Sequence, residues 1–408
     1  MTPIIFIPGI EATNLVNTNS FGFDIIWNAY DTLGTSIGTS VGGQHIDEML
    51  QYNPVYDEKV ASIVNRSNVA RFPYEQTIQN LMTKLNTGKT VPDPVYLFGY
   101  DWRLSNYENA KRLANFISYL QQKLQGQNVS NFHFLTHSMG ALVFRAYLTL
   151  ITNYDIINKV IMCAPPFLGS PYALIHMVKG DGGIKGFLNK IFGNNDDIRK
   201  VVRTYPAIFE LLPYYKDAIL YTDDNSPVDL TNINDWQSNI YDDIVELFKY
   251  RLAALKNFTG SQQQNISTLP VEVRQRMVIV AGVQDNDTLV NVKVDRSGGG
   301  VDNFVRLDLL QQGMASGDGT VPEVSSTIYS QSVRTITVAK QNFLTQLNDN
   351  LDFHGLFLRD SRVQNIIYRY FMSPDYAANI TNGVLTQLTV NADIWNSIGD
   401  STTNISPF

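Results

Sequence analysis

A serine set between an apolar strand and a helix, with small residues around it, can present its hydroxyl as a nucleophile. The run FHFLTHSMGALVFRAYLTLI (132–151) reads as a strand, a tight turn and then a helix. The turn, Thr136-His137-Ser138-Met139-Gly140, is a G-x-S-x-G elbow with Thr136 at the first glycine position. Such a turn pushes the serine hydroxyl out above the sheet and leaves the next backbone N–H at a helix N-terminus, ready to donate to an oxyanion. The chemistry also needs a base and an orienting acid, in the chain order Ser, then Asp or Glu, then His. Two histidines follow Ser138. His176 falls in a polar insertion ahead of the later strands; His354, in Leu-Asp-Phe-His-Gly-Leu, follows the last strand after a short loop, where the base belongs. His133 and His137, on the strand and its elbow, read as packing or supporting residues. Spacing leaves three candidates for the acid: Asp285 and Asp287 directly after a strand at 276–283, and Asp318 in Ser-Gly-Asp-Gly-Thr-Val-Pro. A second oxyanion donor is expected from Pro8-Gly9-Ile10-Glu11, the loop after the first strand, so the N–H groups of Ile10 and Met139 are assigned that role. Tyr100-Asp101-Trp102-Arg103 ends a strand on the same face and reads as a structural Asp–Arg pair, with Trp102 a candidate for the substrate or lid region.

The elements that must carry these residues follow from apolar patterning. PIIFIP (3–8), KVIMCAPP (159–166), RMVIVAGV (276–283) and RTITVA (334–339) read as strands, the short apolar ones as buried parallel strands, and VYLFGYDWR (95–103) as a strand leading into a loop. Helices are expected over 75–87, 106–125 and 360–372. LVNVKV (289–294) and FVRLDL (304–309) alternate as a hairpin should. Residues 11–56, rich in Gly, Ser, Thr and Asn, read as loops, and GTSIGTSVGG (34–43) lacks the Lys-Ser/Thr of a phosphate-binding loop. From about 171 to 270 the pattern breaks into short amphipathic helices and polar loops. There Ile184, Phe187, Leu188, Ile191 and Phe192 make one apolar helical stripe, either part of a lid or membrane-touching face or a cap helix packed on the core. Strands alternating with helices around one long insertion predict an α/β fold: a mostly parallel central sheet, helices on both faces and an inserted helical cap. The expected division is a core over 1–170 with the elbow, a cap or lid over 171–270, a second core part over 271–375 with acid and histidine, and a tail over 376–408 with no clear role.

Composition narrows the function classes. The 408 residues carry a net charge of −7, with no basic footprint for a phosphate backbone, which argues against nucleic acid as a partner. The single cysteine, Cys163, excludes an intrachain disulfide framework and a cysteine-rich zinc site, and five scattered histidines leave little for a metal cluster. There is no apolar run of about 18–20 residues to span a membrane and no signal-peptide pattern. If Met1 is the natural start, the default compartment is cytoplasmic.

Together these motifs resemble the lecithin:cholesterol acyltransferase family, which takes in lysosomal phospholipase A2-like and phospholipid:diacylglycerol acyltransferase-like proteins. The resemblance rests on Pro8-Gly9 with Asn14-Leu15, Tyr100-Asp101-Trp102-Arg103, His137-Ser138-Met139-Gly140, Ala164-Pro165 with Gly169-Ser170, Gly317-Asp318-Gly319-Thr320-Val321-Pro322, and His354, in the family's order. The sequence departs from the family where Glu11 and Ala12 stand near its double glycine, at Thr136, and at Pro166-Phe167 where the family has a tryptophan. The resemblance implies an α/β-hydrolase fold and a Ser138–Asp318–His354 triad, and so favours Asp318 over Asp285. It also implies attack on the ester of a glycerophospholipid or related acyl donor, with no metal or cofactor. The expected function is a serine-dependent lipid acyl-ester hydrolase or acyltransferase of phospholipase A or lipase type. The alternatives are a soluble carboxylesterase or thioesterase on small acyl donors, or an idle scaffold that binds lipid or protein. Expected partners are a lipid or acyl-ester substrate and, through the cap, a membrane surface.

Overall fold

The computed structural model describes residues 2–17, 24–27, 63–69, 71–90, 93–180, 195–260, 265–286, 288–295, 305–306, 313–340, 353–372 and 388–390. In chain order these form strands β1 (Ile4–Ile7), β2 (Thr13–Asn17), β3 (Asp24–Trp27) and β4 (Ile63–Val69), helix α1 (Arg71–Asn86), β5 (Val95–Leu97), α2 (Asn106–Lys123), β6 (Phe132–His137), α3 (Gly140–Tyr147) and β7 (Ile157–Cys163). Next come α4 (Pro171–Lys179), α5 (Asn195–Val202), α6 (Pro206–Glu210), β8 (Ile219–Tyr221), α7 (Val245–Gly260) and α8 (Val271–Arg274). The last part holds β9 (Met277–Val283), β10 (Thr288–Leu289), β11 (Val292–Val294), β12 (Val305–Arg306), β13 (Met314–Ala315), α9 (Glu323–Ser326), β14 (Arg334–Ala339), α10 (Phe353–Leu356), α11 (Ser361–Met372) and β15 (Leu388–Val390).

The runs that lack alternation become the inner strands of one sheet, because both of their faces are covered. Its order is β15-β14-β9-β7-β6-β1-β5, and every pairing is parallel. All residues of β1 and β6 are buried. Helix α3 is buried along its whole length, as a helix apolar on nearly every side must be. Helix α2 instead buries one face, from Asn106 and Asn109 through Ala110, Leu113, Ile117 and Leu120, and is capped by the Ser105 hydroxyl, which accepts from the Tyr107 N–H. No helix among the described residues is long and apolar enough to cross a membrane.

Two expectations change. The stretch read as loop contains β2 and β3, which join β4 in an antiparallel sheet of order β3-β2-β4. The polar run TNLVN hides a strand that is fixed by pairing with β3 on one side and, far along the chain, β4 on the other. The run at 95–103 is a strand to Leu97 followed by a loop, as expected, and the Phe98 N–H still donates to the Phe6 carbonyl at 2.8 Å. The hairpin pairs Lys293 with Arg306 and Val294 with Val305, but the first run is split: Thr288–Leu289 pairs with Met314–Ala315, and Val292–Val294 also lies parallel to β8. The 34–43 segment and most of the 376–408 tail lie outside the described residues.

Candidate active site

The elbow is built by close backbone approach. Ser138 adopts φ 52°, a left-handed conformation that costs a non-glycine residue on the order of 1–3 kcal/mol and marks a position held by its surroundings. Its N–H donates to the Cys163 carbonyl at 2.9 Å, which ties the turn to β7. A Cβ at Gly140 would lie 2.3 Å from the Ile7 carbonyl oxygen, and one at Gly9 would lie 3.0 Å from the Ser138 Cβ. Only glycine at 140 lets α3 start this close to the end of β1, and a side chain at Gly9 would crowd the serine. Thr136 stands in regular strand, paired with Ile7 and Met162, so the backbone there accommodates a residue with a side chain in place of the first glycine.

Three side chains meet above the sheet. His354 Nε2 lies 2.9 Å from Ser138 Oγ, and His354 Nδ1 lies 2.7 Å from Asp318 Oδ2. Asp318 is fully buried, and its other oxygen accepts from the backbone N–H groups of Val321 at 2.7 Å and Thr320 at 3.1 Å. Gly319, at φ 95°, makes that turn possible, and its N–H donates to Thr288 Oγ1 at 2.7 Å. The backbone N–H of His354 donates to the Asp318 carbonyl at 2.9 Å, so acid and histidine are joined through main chain as well as side chain. Asp285 stands exposed in the turn after β9, and Asp287 lies outside the described residues.

No hydrogen bond among the described residues occupies the amide of Ile10 or of Met139. The first follows β1 and the second immediately follows the serine at the head of α3. Trp102 is buried, its indole N–H donating to the Thr13 carbonyl at 3.1 Å and its ring set edge-on to Tyr205. The flanking Asp101 and Arg103 form a fully buried ion pair at 2.7 Å. Phe187 and Phe192 lie outside the described residues.

The other histidines have other settings. His176 Nδ1 sits 2.8 Å from the Gly180 carbonyl at the end of α4. His133 stacks on Phe371, and burial, helped by the nearby Lys159 charge, pushes its imidazole down to about 3. His137 lies between Tyr74 and His354; burial first, and the neighbouring His354 second, hold it well below the ordinary imidazole range. Tyr74, Thr288 and Gly282 escaped sequence reasoning. A Cβ at Gly282 would lie 2.6 Å from the Asp318 Cβ, so this glycine makes room for the acid, yet nothing local in its strand signals it. No cluster of metal-ligating side chains occurs among the described residues.

The family model described as lecithin:cholesterol acyltransferase matches residues 37–289, more than half of the chain. That span includes Ser138 and Tyr100–Arg103 and ends before Asp318 and His354. No curated protein sequence matches. Among solved structures, the Tle4–Tli4 complex contains a chain similar over 93% of this chain and 99% of its own, at 16% identity and TM-score 0.65. The mature lipase BlEst2 of Bacillus licheniformis is similar over 91% of this chain and 90% of its own, at 12% identity and TM-score 0.35. The lin2722 product of Listeria innocua is similar over 96% and 99%, at 9% identity and TM-score 0.36. The chain has the α/β-hydrolase fold and belongs to the lecithin:cholesterol acyltransferase family of acyl-ester hydrolases and acyltransferases.

Proposed function

We propose that the protein is a serine-dependent lipid acyl-ester hydrolase or acyltransferase of phospholipase A or lipase type, working through an acyl-enzyme on Ser138. The observation that carries this reading is the unbroken chain of contacts from Ser138 Oγ through His354 to the buried Asp318, at 2.9 and 2.7 Å. His354 Nε2 takes the proton as Ser138 Oγ attacks the ester carbonyl. Asp318 holds the Nδ1 proton, which fixes the tautomer and stabilises the imidazolium that forms. The amides of Ile10 and Met139 receive the oxyanion, each worth about 3 kcal/mol of transition-state stabilisation in comparable sites. Collapse breaks the ester C–O bond, and His354 returns its proton to the departing alcohol. Water or a second alcohol then attacks the acyl-enzyme with His354 again as base, giving a free acid or a new ester. This sequence requires neither metal nor cofactor.

Residues 171–270 serve in this reading as the cap of the core; the apolar stripe with Phe187 and Phe192 falls in its part outside the described residues. Trp102, buried against Tyr205, acts in this reading through packing rather than by exposed contact with substrate.

The test is product analysis from mixed phospholipid vesicles containing a long-chain alcohol, comparing wild type with Ser138→Ala. Serine-dependent fatty acid, lysolipid or alkyl ester supports the lipid reading, and the ratio of acid to ester separates hydrolase from transferase. Serine-dependent turnover confined to C2–C4 esters would move the assignment to a small-ester hydrolase. No serine-dependent product on any ester would leave an idle scaffold.

A further inference from the structure

His137 is the residue before the proposed nucleophile, and its ring makes two hydrogen bonds that join separate parts of the chain. Its Nε2 lies 3.1 Å from the backbone carbonyl oxygen of His354, and its Nδ1 lies 2.8 Å from the Tyr74 hydroxyl. A carbonyl can only accept, so Nε2 carries the proton. Burial and the nearby His354 keep the ring uncharged, so Nδ1 must accept from the tyrosine O–H. The tyrosine oxygen keeps a lone pair for the Gly9 N–H, which lies 3.4 Å away. Every donor and acceptor in the series Gly9, Tyr74, His137, His354 is thereby used once, in one consistent direction.

The consequence concerns His354, which sits in α10, a helix of four residues that cannot fix its own position. Its backbone is gripped on both sides: the N–H by the Asp318 carbonyl at 2.9 Å and the C=O by His137. One grip refers the histidine to the acid, the other to the elbow that carries the serine. Because His137 and Ser138 are adjacent, the second bond sets the backbone of His354 against that of Ser138 itself. Tyr74, from α1, extends the reference to Gly9 and so to the loop bearing the Ile10 amide.

We propose that His137, oriented by Tyr74, is a positioning residue that fixes His354 against Ser138, an inference that rests on the reading of these two as base and nucleophile. The serine-to-histidine contact tolerates little error, since misplacement of about 1 Å can cost 100-fold in rate.

The test is steady-state hydrolysis of p-nitrophenyl dodecanoate by His137→Phe, His137→Gln, Tyr74→Phe and a control, His133→Phe, on the same strand but outside the site. His137→Phe keeps a ring of similar size and deletes both hydrogen bonds; kcat falls about 10- to 100-fold while KM stays within about twofold. His137→Gln keeps an N–H donor near the position of Nε2 and restores kcat to within about fivefold of wild type. In parallel, the downfield proton resonance of the His354–Asp318 hydrogen bond broadens or moves in His137→Phe and returns in His137→Gln. His133→Phe matches wild type. If His137→Phe does not fold, Tyr74→Phe decides, because it removes one oxygen and keeps the ring; kcat is expected to fall about three- to tenfold with KM held. A folded His137→Phe with wild-type kcat, or a glutamine variant no better than phenylalanine with the resonance unmoved, overturns the positioning role. A wild-type enzyme whose turnover survives Ser138→Ala overturns the underlying assignment instead, and this inference with it.

Discussion

Replacement of Asp318 by asparagine discriminates between an acid that orients the base and a carboxylate that is merely nearby. Asp318 Oδ1 accepts two backbone N–H groups, from Val321 and Thr320, while Oδ2 accepts the Nδ1 proton of His354. Asparagine has one oxygen for these two tasks. Placing its NH2 toward Val321 and Thr320 would leave two buried donors unmet at about 1–3 kcal/mol each. The amide oxygen therefore stays on the backbone pair and the NH2 turns to His354. Nδ1 must then accept, and the imidazole proton moves to Nε2, facing Ser138 Oγ at 2.9 Å, where a base is needed. The two-donor penalty amounts to about 2–6 kcal/mol against the working tautomer, and the imidazolium also loses its counter-charge; kcat should fall about 10³- to 10⁴-fold. The volume change is small, so the melting temperature and KM should stay near wild type. Hydrolysis of a long-chain p-nitrophenyl ester, with circular dichroism as the folding check, measures this directly. Asp285→Asn, on the exposed turn after β9, should turn over at nearly the wild-type rate. A folded Asp318→Asn within tenfold of wild type, or a larger loss in Asp285→Asn, would refute the argument.

Further expectations concern packing and pH. Gly140→Ala sets a Cβ 2.3 Å from the Ile7 carbonyl oxygen, so activity should drop at least about 100-fold or soluble protein be lost, whereas Gly260→Ala, in open space, should be silent in the same assays. Asp101→Asn removes the buried partner of Arg103 and should destabilise the fold by about 3–5 kcal/mol in urea titration; a loss under 1 kcal/mol would contradict a buried charge pair. His133 is held uncharged down to about 3, whereas in the unfolded chain it protonates near 6.5. As pH falls between those values the unfolded state binds the proton that the folded site refuses, so stability is lost by up to about 1.4 kcal/mol per pH unit. His133→Phe should flatten this acid limb in urea titrations at neutral and acid pH; parallel curves for variant and wild type would exclude His133 as its cause.

The parts of the fold that were legible in the sequence are those whose signal is local. IIFI, MVIVAGV and RTITVA become β1, β9 and β14 because a strand covered on both faces has to be apolar throughout. Ser138 stood out because its strand, turn and helix are contiguous, and His354 because it alone follows the last inner strand read from the pattern. The acid was ambiguous for a physical reason. Spacing cannot distinguish an exposed Asp285 on the strand-end turn from an Asp318 brought in by Gly319's left-handed backbone and the room left at Gly282. The β3-β2-β4 sheet was hidden because TNLVN is polar and one of its two partner strands, β4, lies 46 or more residues beyond it in sequence. Tyr74 was hidden likewise, since its contact with His137 spans 63 residues and only the folded chain brings the two rings together.

The central claim is that Ser138 is a nucleophile activated by His354, and covalent capture tests it most directly. A long-chain fluorophosphonate should add once per molecule, with peptide mapping placing the adduct on Ser138. Ser138→Ala should remain unmodified, and His354→Ala, folded by circular dichroism, should label far more slowly. A folded wild-type protein that takes no adduct, carries it elsewhere, or labels equally fast without His354 would contradict the account.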